Sequence, residues 1–385
     1  MEIFWDIIEN DWLQMGITFA FAFFITAKLM PLIIEFSGKL DLVDKPNERK
    51  VHVAPIPNLG GIGIFIGYMV ATIGWMVYYG GSIEAAFILY GLMILFVMGI
   101  IDDQVDMRAS VKFLIQIGVA VLIASAGTRI TNLNGLFGIY EMNIFFQYGL
   151  TVLLLVGLVN AFNLIDGING LAGGISFIDA IIMGVLLYNP QEILISLLAF
   201  GMAGALLGFL KFNFDPARIF MGDTGSLIIG YILAVLGVST IRDGISEGGF
   251  IGDNNGLTII VVGILILPVF DTLRVFARRV IVEKKSPFSP DKTHVHHLLL
   301  QTGFNHKKSA ILLYIANIVI IFTAFLLRDL PSSFSIPILF VIAFLFYDFR
   351  IIYDLFRLAV LGKKADKKTS DILEENVLLD DDDDD

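Results

Sequence analysis

Four clusters in this 385-residue chain carry residue types that do chemistry. The first is Ile101-Asp102-Asp103-Gln104-Val105-Asp106, directly after a long apolar run. Adjacent carboxylates repel by about 4 kcal/mol at ~4 Å and an effective dielectric of ~20, and a bound cation or a shared proton removes that strain. Asp102 and Asp106 stand four apart, on one helical face, and Lys112 follows at the start of the next apolar run. The second cluster runs from Asn160 through Asn163, Asp166, Gly167 and Asn169 to Gly170. Polar residues recur every three positions, and the glycines let backbone approach a ligand closely. Carboxylate and amide oxygens of this kind suit a hard cation such as Mg²⁺. The third ends in Gly222-Asp223-Thr224-Gly225-Ser226, just before an apolar run, with Phe220 two residues ahead. A helix N-terminus built of small residues binds anions through its free N–H groups, and Asp223 can hold a cation that the anion shares. Phe220 can stack on a base or simply pack. The fourth runs from Ser286 to His297, and four of the five histidines lie between His294 and His306. Zinc is a poor fit, because there are no cysteines and the spacing does not suit one helical face; imidazoles beside Lys292 fit phosphate binding at least as well.

Each cluster alone also has a plain structural reading. The first can be a solvated loop with capping aspartates, the second a helix C-cap and turn. The third can be simple N-capping by Asp223 or Thr224, and the fourth a solvated loop. A weaker fifth signal, Pro46 to His52, is basic and rigid; it is either a ligand contact through Lys50 and His52 or a loop that only sets topology. Together the clusters supply carboxylates for a divalent metal, basic groups for phosphates and glycines for close approach. Metal-assisted phosphoryl transfer needs that combination. No G-x-x-x-x-G-K-[ST] loop is present, so a P-loop ATPase is not supported.

The elements that must position these residues are membrane helices. The chain is 56% apolar and only 16% charged, against about 25% charged in soluble domains, so the bilayer is its expected solvent. Apolar runs of about the ~20 residues a crossing needs lie near 12–35, 59–79, 84–101, 111–127, 144–161, 171–188, 192–211, 225–241, 257–276, 309–327 and 336–356. An all-α, polytopic helical bundle with about eleven transmembrane helices is predicted. Lysine and arginine crowd one set of connecting loops, while the other set holds only Arg129, Arg242 and Arg328. The positive-inside rule therefore puts the N-terminus outside and the C-terminus in the cytoplasm. All the polar clusters then fall on the cytoplasmic face. The first apolar run has an acidic, not basic, approach and is too long for a signal peptide, so it reads as a retained helix.

Residues 1–361 are expected to form the membrane domain, and 362–385 a lysine-rich, then acidic, disordered cytoplasmic tail. Six terminal aspartates, Asp380 to Asp385, carry much of the net charge of −11, and nothing resembles a nucleic-acid-binding surface.

The set Asp102-Asp103, Asn160 to Gly167, Gly222 to Ser226 and His294-Val295-His296-His297, in this order, resembles the polyprenyl-phosphate N-acetylhexosamine-1-phosphate transferase family. The resemblance covers the chain from about Asp44 to His306 and implies transfer of a sugar 1-phosphate from a UDP-N-acetylhexosamine to undecaprenyl phosphate, with release of UMP. It implies Mg²⁺, or Mn²⁺ in its place, on Asp223 and Asn163. Asp102, Asp103 and Asp166 would be the catalytic carboxylates, with Asp102 deprotonating the lipid phosphate and Lys112 binding it. Asn169 and Phe220 would meet uracil, and His294, His296 and His297 the sugar diphosphate. Asn169 stands where many bacterial members have an aspartate; an amide can hydrogen-bond uracil but cannot act as a base. The histidine motif resembles the branch that uses UDP-N-acetylglucosamine for teichoic acid, O-antigen or related envelope polysaccharides. The lipid-I-forming branch, which uses UDP-MurNAc-pentapeptide, and a transporter or flippase are the alternatives. A bacterial cytoplasmic membrane location is implied, and a homodimer is expected by resemblance alone.

Overall fold

The computed structural model describes residues 10–39, 43–44, 56–79, 82–105, 107–133, 135–186, 188, 193–243, 254–286 and 293–347. Its helices are α1 (Asp11–Lys39), α2 (Gly60–Tyr78), α3 (Ile83–Val105), α4 (Ala109–Ala126), α5 (Ile144–Ile165) and α6 (Leu171–Leu186). They continue as α7 (Ile193–Asn213), α8 (Gly222–Asp243), α9 (Asn254–Ala277), α10 (Val295–Gln301), α11 (His306–Leu326) and α12 (Ser332–Tyr347). A π-helical turn, Arg278–Val282, extends α9. Two strands of two residues, β1 (Val43–Asp44) and β2 (Ile56–Pro57), pair antiparallel between α1 and α2.

Among the described residues nine helices are long and apolar enough to cross a membrane, and Leu171–Leu186 and Ser332–Phe346 are shorter apolar helices. These eleven stand where the eleven apolar runs predict helices, so the polytopic helical bundle holds. The short α10 lies between two of them. The chain divides into a unit ending at Ala343 and one starting at Phe344; of the second unit, residues 344–347 are described, and they finish α12.

Three helices run past their apolar runs, and this matters for the site. Helix α3 continues through Asp102 and Asp103 to Val105, α5 continues through Asn163 to Ile165, and α8 begins at Gly222. Hydropathy marks where a helix leaves the hydrocarbon, not where its hydrogen-bond ladder stops. The polar clusters therefore sit on rigid helix ends.

Helix α8 is the axis of the site. Its apolar window is buried all round, as expected for a helix without a polar face. It packs against α5, α3 and α2. Small residues set these contacts, as in membrane bundles generally. A Cβ on Gly61 of α2 would run into the Gly225 and Thr224 backbone, and one on Gly99 into Thr224. Neither obstacle is a side chain that can swing away. Gly61→Ala should push α2 off the start of α8 and destabilise the protein by about 1–3 kcal/mol. Its melting temperature in detergent, compared with that of Gly74→Ala, where nothing lies within 4 Å, checks the point; equal values would mean that the contact carries no load.

Candidate active site at the clustered helix ends

The N-terminus of α8 is held from outside its own chain segment. Asp103 Oδ1 accepts from the Asp223 backbone N–H at 2.7 Å and from Asn58 Nδ2 at 3.2 Å. Its Oδ2 accepts from the Thr224 N–H at 3.0 Å and from Thr224 Oγ1 at 2.6 Å. The carboxylate thus fills the role of a capping side chain at a helix start, where free N–H groups favour an anion. Gly222 makes the approach feasible: its φ is +74°, and a Cβ there would stand 2.7 Å from Asp103 Oδ2 and from the Asn58 carbonyl.

With its backbone fixed in this way, Asp223 keeps its side chain 33% exposed. Oδ1 accepts from Asn163 Nδ2 at 2.8 Å and Oδ2 from Lys112 Nζ at 3.2 Å. Asn163 also donates to Ser226 Oγ at 2.8 Å. Lys112, on the first turn of α4, is ion-paired with Asp102 as well, so its ammonium bridges two carboxylates. The other oxygen of Asp102 accepts from the Met107 N–H at 2.8 Å. Asp102 and Asp103 are neighbours in sequence with different surroundings: one faces Lys112, the other the start of α8.

Asp166 follows the end of α5. Loss of hydration, then the nearby Asp223 and Asp103 carboxylates, raise it to about 7 from the ordinary 3.8. The folded chain therefore keeps a proton here that the unfolded chain releases between those values. The stability this proton contributes is full below pH ~4 and is lost as pH rises through about 7. Metal-free protein should melt at a lower temperature at roughly pH 8 than at roughly pH 5, and Asp166→Asn should flatten that slope. The same slope in both proteins would exclude Asp166 as the titrating group.

Beyond Asp166, the ring of His296 lies directly against Gly167, leaving no room there for a side chain. His296 is 1% exposed, and neither ring nitrogen has a hydrogen-bond partner among the described residues. Burial, with His297 beside it, lowers it to about 3, so the ring is neutral at physiological pH. It stacks almost parallel on His294, 5.8 Å away, and lies 4.2 Å from His297 at 50°.

Asn169 is buried in the next turn. Its N–H donates to His306 Nδ1 at 3.3 Å and its Nδ2 to Asp215 Oδ1 at 3.4 Å. Asn213 Oδ1 accepts from the Gly170 N–H at 2.8 Å, and Asn213 Nδ2 donates to the Ile219 carbonyl at 2.9 Å. Those bonds tie the turn after α5 to the loop between α7 and α8. Phe220, in that loop, donates its N–H to the Pro57 carbonyl at 2.8 Å and accepts from the Gly60 N–H at 2.9 Å.

The structure therefore joins Asp102, Asp103, Lys112, Asn163 and Asp223 in one hydrogen-bonded group, with Asp166 close enough to feel its charge. It brings His296 against the same α5 end at Gly167, with His294 and His297 beside His296. Asn169 and Phe220 flank this group on the two tied loops. Lys50 and His52 lie outside the described residues. Sequence reading assigned no role to Asn58, Asn213, Asp215, His306 or Asp271. For Asp271 a signal existed: a carboxylate inside an apolar run, three residues before Arg274.

No group of three or more His, Asp or Glu side chains converges as a metal cage among the described residues. The donor set still fits Mg²⁺. Asp223 supplies a carboxylate, and half a turn of the Asn163 amide offers its oxygen in place of nitrogen. Mg²⁺ takes one or two protein oxygens and completes its shell with substrate phosphates and water.

Residues 85–241 match the profile of glycosyl transferase family 4, a stretch that contains every carboxylate of the cluster. Over 337 residues the chain is 34% identical to the probable undecaprenyl-phosphate N-acetylglucosaminyl 1-phosphate transferase of Bacillus subtilis (strain 168), covering 87% of this chain and 91% of that protein. It is 33% identical over 333 residues to the decaprenyl-phosphate N-acetylglucosaminephosphotransferase of Mycolicibacterium smegmatis, 78% of each chain. With the undecaprenyl-phosphate alpha-N-acetylglucosaminyl 1-phosphate transferase of Escherichia coli (strain K12) it shares 29% identity over 338 residues, 86% of this chain and 89% of that one.

Proposed function

We propose that this chain, which belongs to the polyprenyl-phosphate N-acetylhexosamine-1-phosphate transferase family, transfers N-acetylglucosamine 1-phosphate from UDP-N-acetylglucosamine to undecaprenyl phosphate. The products are undecaprenyl-diphosphate-N-acetylglucosamine and UMP, and the step starts an envelope polysaccharide. The observation that carries this reading is the convergence of Lys112, Asp102 and Asn163 on the Asp223 carboxylate at the start of α8.

Two phosphate-bearing substrates must meet there. Lys112 offers a cation to the phosphate of the lipid, which reaches the site from the bilayer. Asp102, paired with that lysine, accepts the proton of the lipid phosphate. The freed oxygen attacks the phosphorus that carries the sugar, and UMP leaves in line. Asp223 and Asn163 hold Mg²⁺. When bound, the ion offsets negative charge on the UDP diphosphate. Asp103 holds Asp223 in place. Asn169 and Phe220 serve the uracil end, and His294, His296 and His297 the sugar diphosphate. Asp166, about half protonated at pH 7 in the metal-free chain, completes the acidic cluster. The lysine and arginine bias of the loops supports a site at the cytoplasmic face of a bacterial inner membrane. The protein assembles as a homodimer, as its family resemblance implies; the expected tail, 362–385, lies outside the described residues.

Purified protein with undecaprenyl phosphate, Mg²⁺ and UDP-N-acetylglucosamine labelled in the sugar tests the reading. Label should enter lipid with release of UMP, and EDTA should stop both. Transfer only from another UDP-N-acetylhexosamine would change the sugar, and transfer only from UDP-MurNAc-pentapeptide would assign the lipid-I branch. No transfer from any of these donors would end the enzyme reading and favour transport.

A further inference from the structure

We propose that Asp271 is the positioning residue of the histidine cluster, setting the His294 ring and the start of α10 so that His296 stands at the nucleotide-sugar side of the cleft. The inference rests on the transferase reading for its kinetic arm only.

Asp271 lies in α9 and is 1% exposed. A carboxylate buried in a membrane helix is costly and calls for a specific partner. Its hydrogen bonds run to the segment that leads into α10. Oδ2 meets His294 Nδ1 at 2.7 Å, and Oδ1 accepts from the Val295 N–H at 3.1 Å. Arg274, one turn along α9, reaches Oδ1 at 3.4 Å and also donates to the Thr293 carbonyl. Three successive residues, Thr293, His294 and Val295, are thus tied to one turn of α9. Helix α10 has seven residues, and the His294 side chain makes no capping bond to it. The short helix therefore takes its starting point from Asp271.

An ionised carboxylate only accepts hydrogen bonds, so His294 must present Nδ1–H to it. The fixed ring is the platform on which His296 stacks, 9° from parallel. His296 in turn rests against Gly167, next to Asp166. The path from Asp271 to the cleft is therefore a series of direct contacts between rigid groups. It leads to the end of α5 and not to the Lys112–Asp102 pair, so its loss should fall on the UDP-sugar and spare the lipid phosphate.

Asp271→Asn keeps the shape and removes the all-acceptor property. The amide oxygen can still accept from Val295, which turns the amide N–H₂ toward His294 Nδ1. Full-length protein labelled with ¹⁵N-histidine, in nanodiscs, reads the tautomer directly. The chain has five histidines, and His294→Ala identifies the signal. The proton should sit on His294 Nδ1 in the wild type and leave it in Asp271→Asn. In the transfer assay the variant should show a KM for UDP-N-acetylglucosamine raised about tenfold or more, as expected when a positioned group is displaced. Its KM for undecaprenyl phosphate and its melting temperature should be close to wild type. Adding Asp271→Asn to His294→Ala should cost nothing further, because both act through one ring. An unchanged His294 spectrum, equal rises in both KM values, or additive losses would each overturn the proposal. A wild type that transfers no sugar would sink the transferase reading instead, while the tautomer measurement would still decide the Asp271–His294 link.

Discussion

Asp223→Ala should cut sugar-phosphate transfer by at least about 10²–10³-fold, the cost of losing a single preorganised electrostatic group in other enzymes, and leave the protein folded. Asp223 is where the acidic cluster meets its cation: Lys112 and Asn163 both bond its carboxylate. Without it Lys112 stays on Asp102 alone, and Asn163 keeps only Ser226. The proposed Mg²⁺ loses its one charged ligand, so residual activity should no longer depend on Mg²⁺ in the wild-type range. The fold should tolerate the change because the side chain is 33% exposed, and the start of α8 is held through the Asp223 backbone, which alanine keeps. Rate against Mg²⁺ concentration and a melting curve, measured on one preparation, test both halves. Wild-type rates in the variant would remove Asp223 from the reaction. A collapsed melting temperature would make it a structural residue.

Asp103→Ala should do the opposite and bring down fold and activity together. The carboxylate takes four hydrogen bonds, from Asn58, from the Asp223 and Thr224 amides and from the Thr224 hydroxyl. Bonds to an ionised acceptor contribute about 1.5–3 kcal/mol each and are not additive, so a loss of roughly 3 kcal/mol or more is expected. Two amides at the start of the most buried helix would then lack their acceptor. Activity should fall too, because Asp223 would no longer be aimed. The neighbouring change Asp102→Asn separates the two roles. It removes the proposed proton acceptor and should slow transfer by about 10²–10⁴-fold, with a melting temperature near that of wild type. If Asp103→Ala melts like wild type, Asp103 belongs to the chemistry and not to the seat of α8.

Much of this protein is legible in its residues alone. Composition and run length decide for lipid over water, because a chain this apolar can be solvated in no other way, and the spans follow from the thickness of hydrocarbon. The acidic pair, the spaced amides and the glycine-rich helix start are local patterns, so the carboxylate cluster is legible too. Three-dimensional structure is needed wherever a property depends on residues far apart in the chain. Asp102 and Asp103 look alike in sequence; they differ because one packs beside Lys112 and the other beneath residues 120 positions away. Asp271 reads as one stray charge in an apolar run, and only packing brings it to His294, 23 residues on. Hydropathy likewise assigns the polar ends to loops, whereas the backbone ladder carries α3 and α5 through them. Sequence alone determined which groups are present and which solvent surrounds them, since both are sums over residue types. Tertiary structure decided which partners each carboxylate meets within a few ångströms, since those partners come from distant parts of the chain.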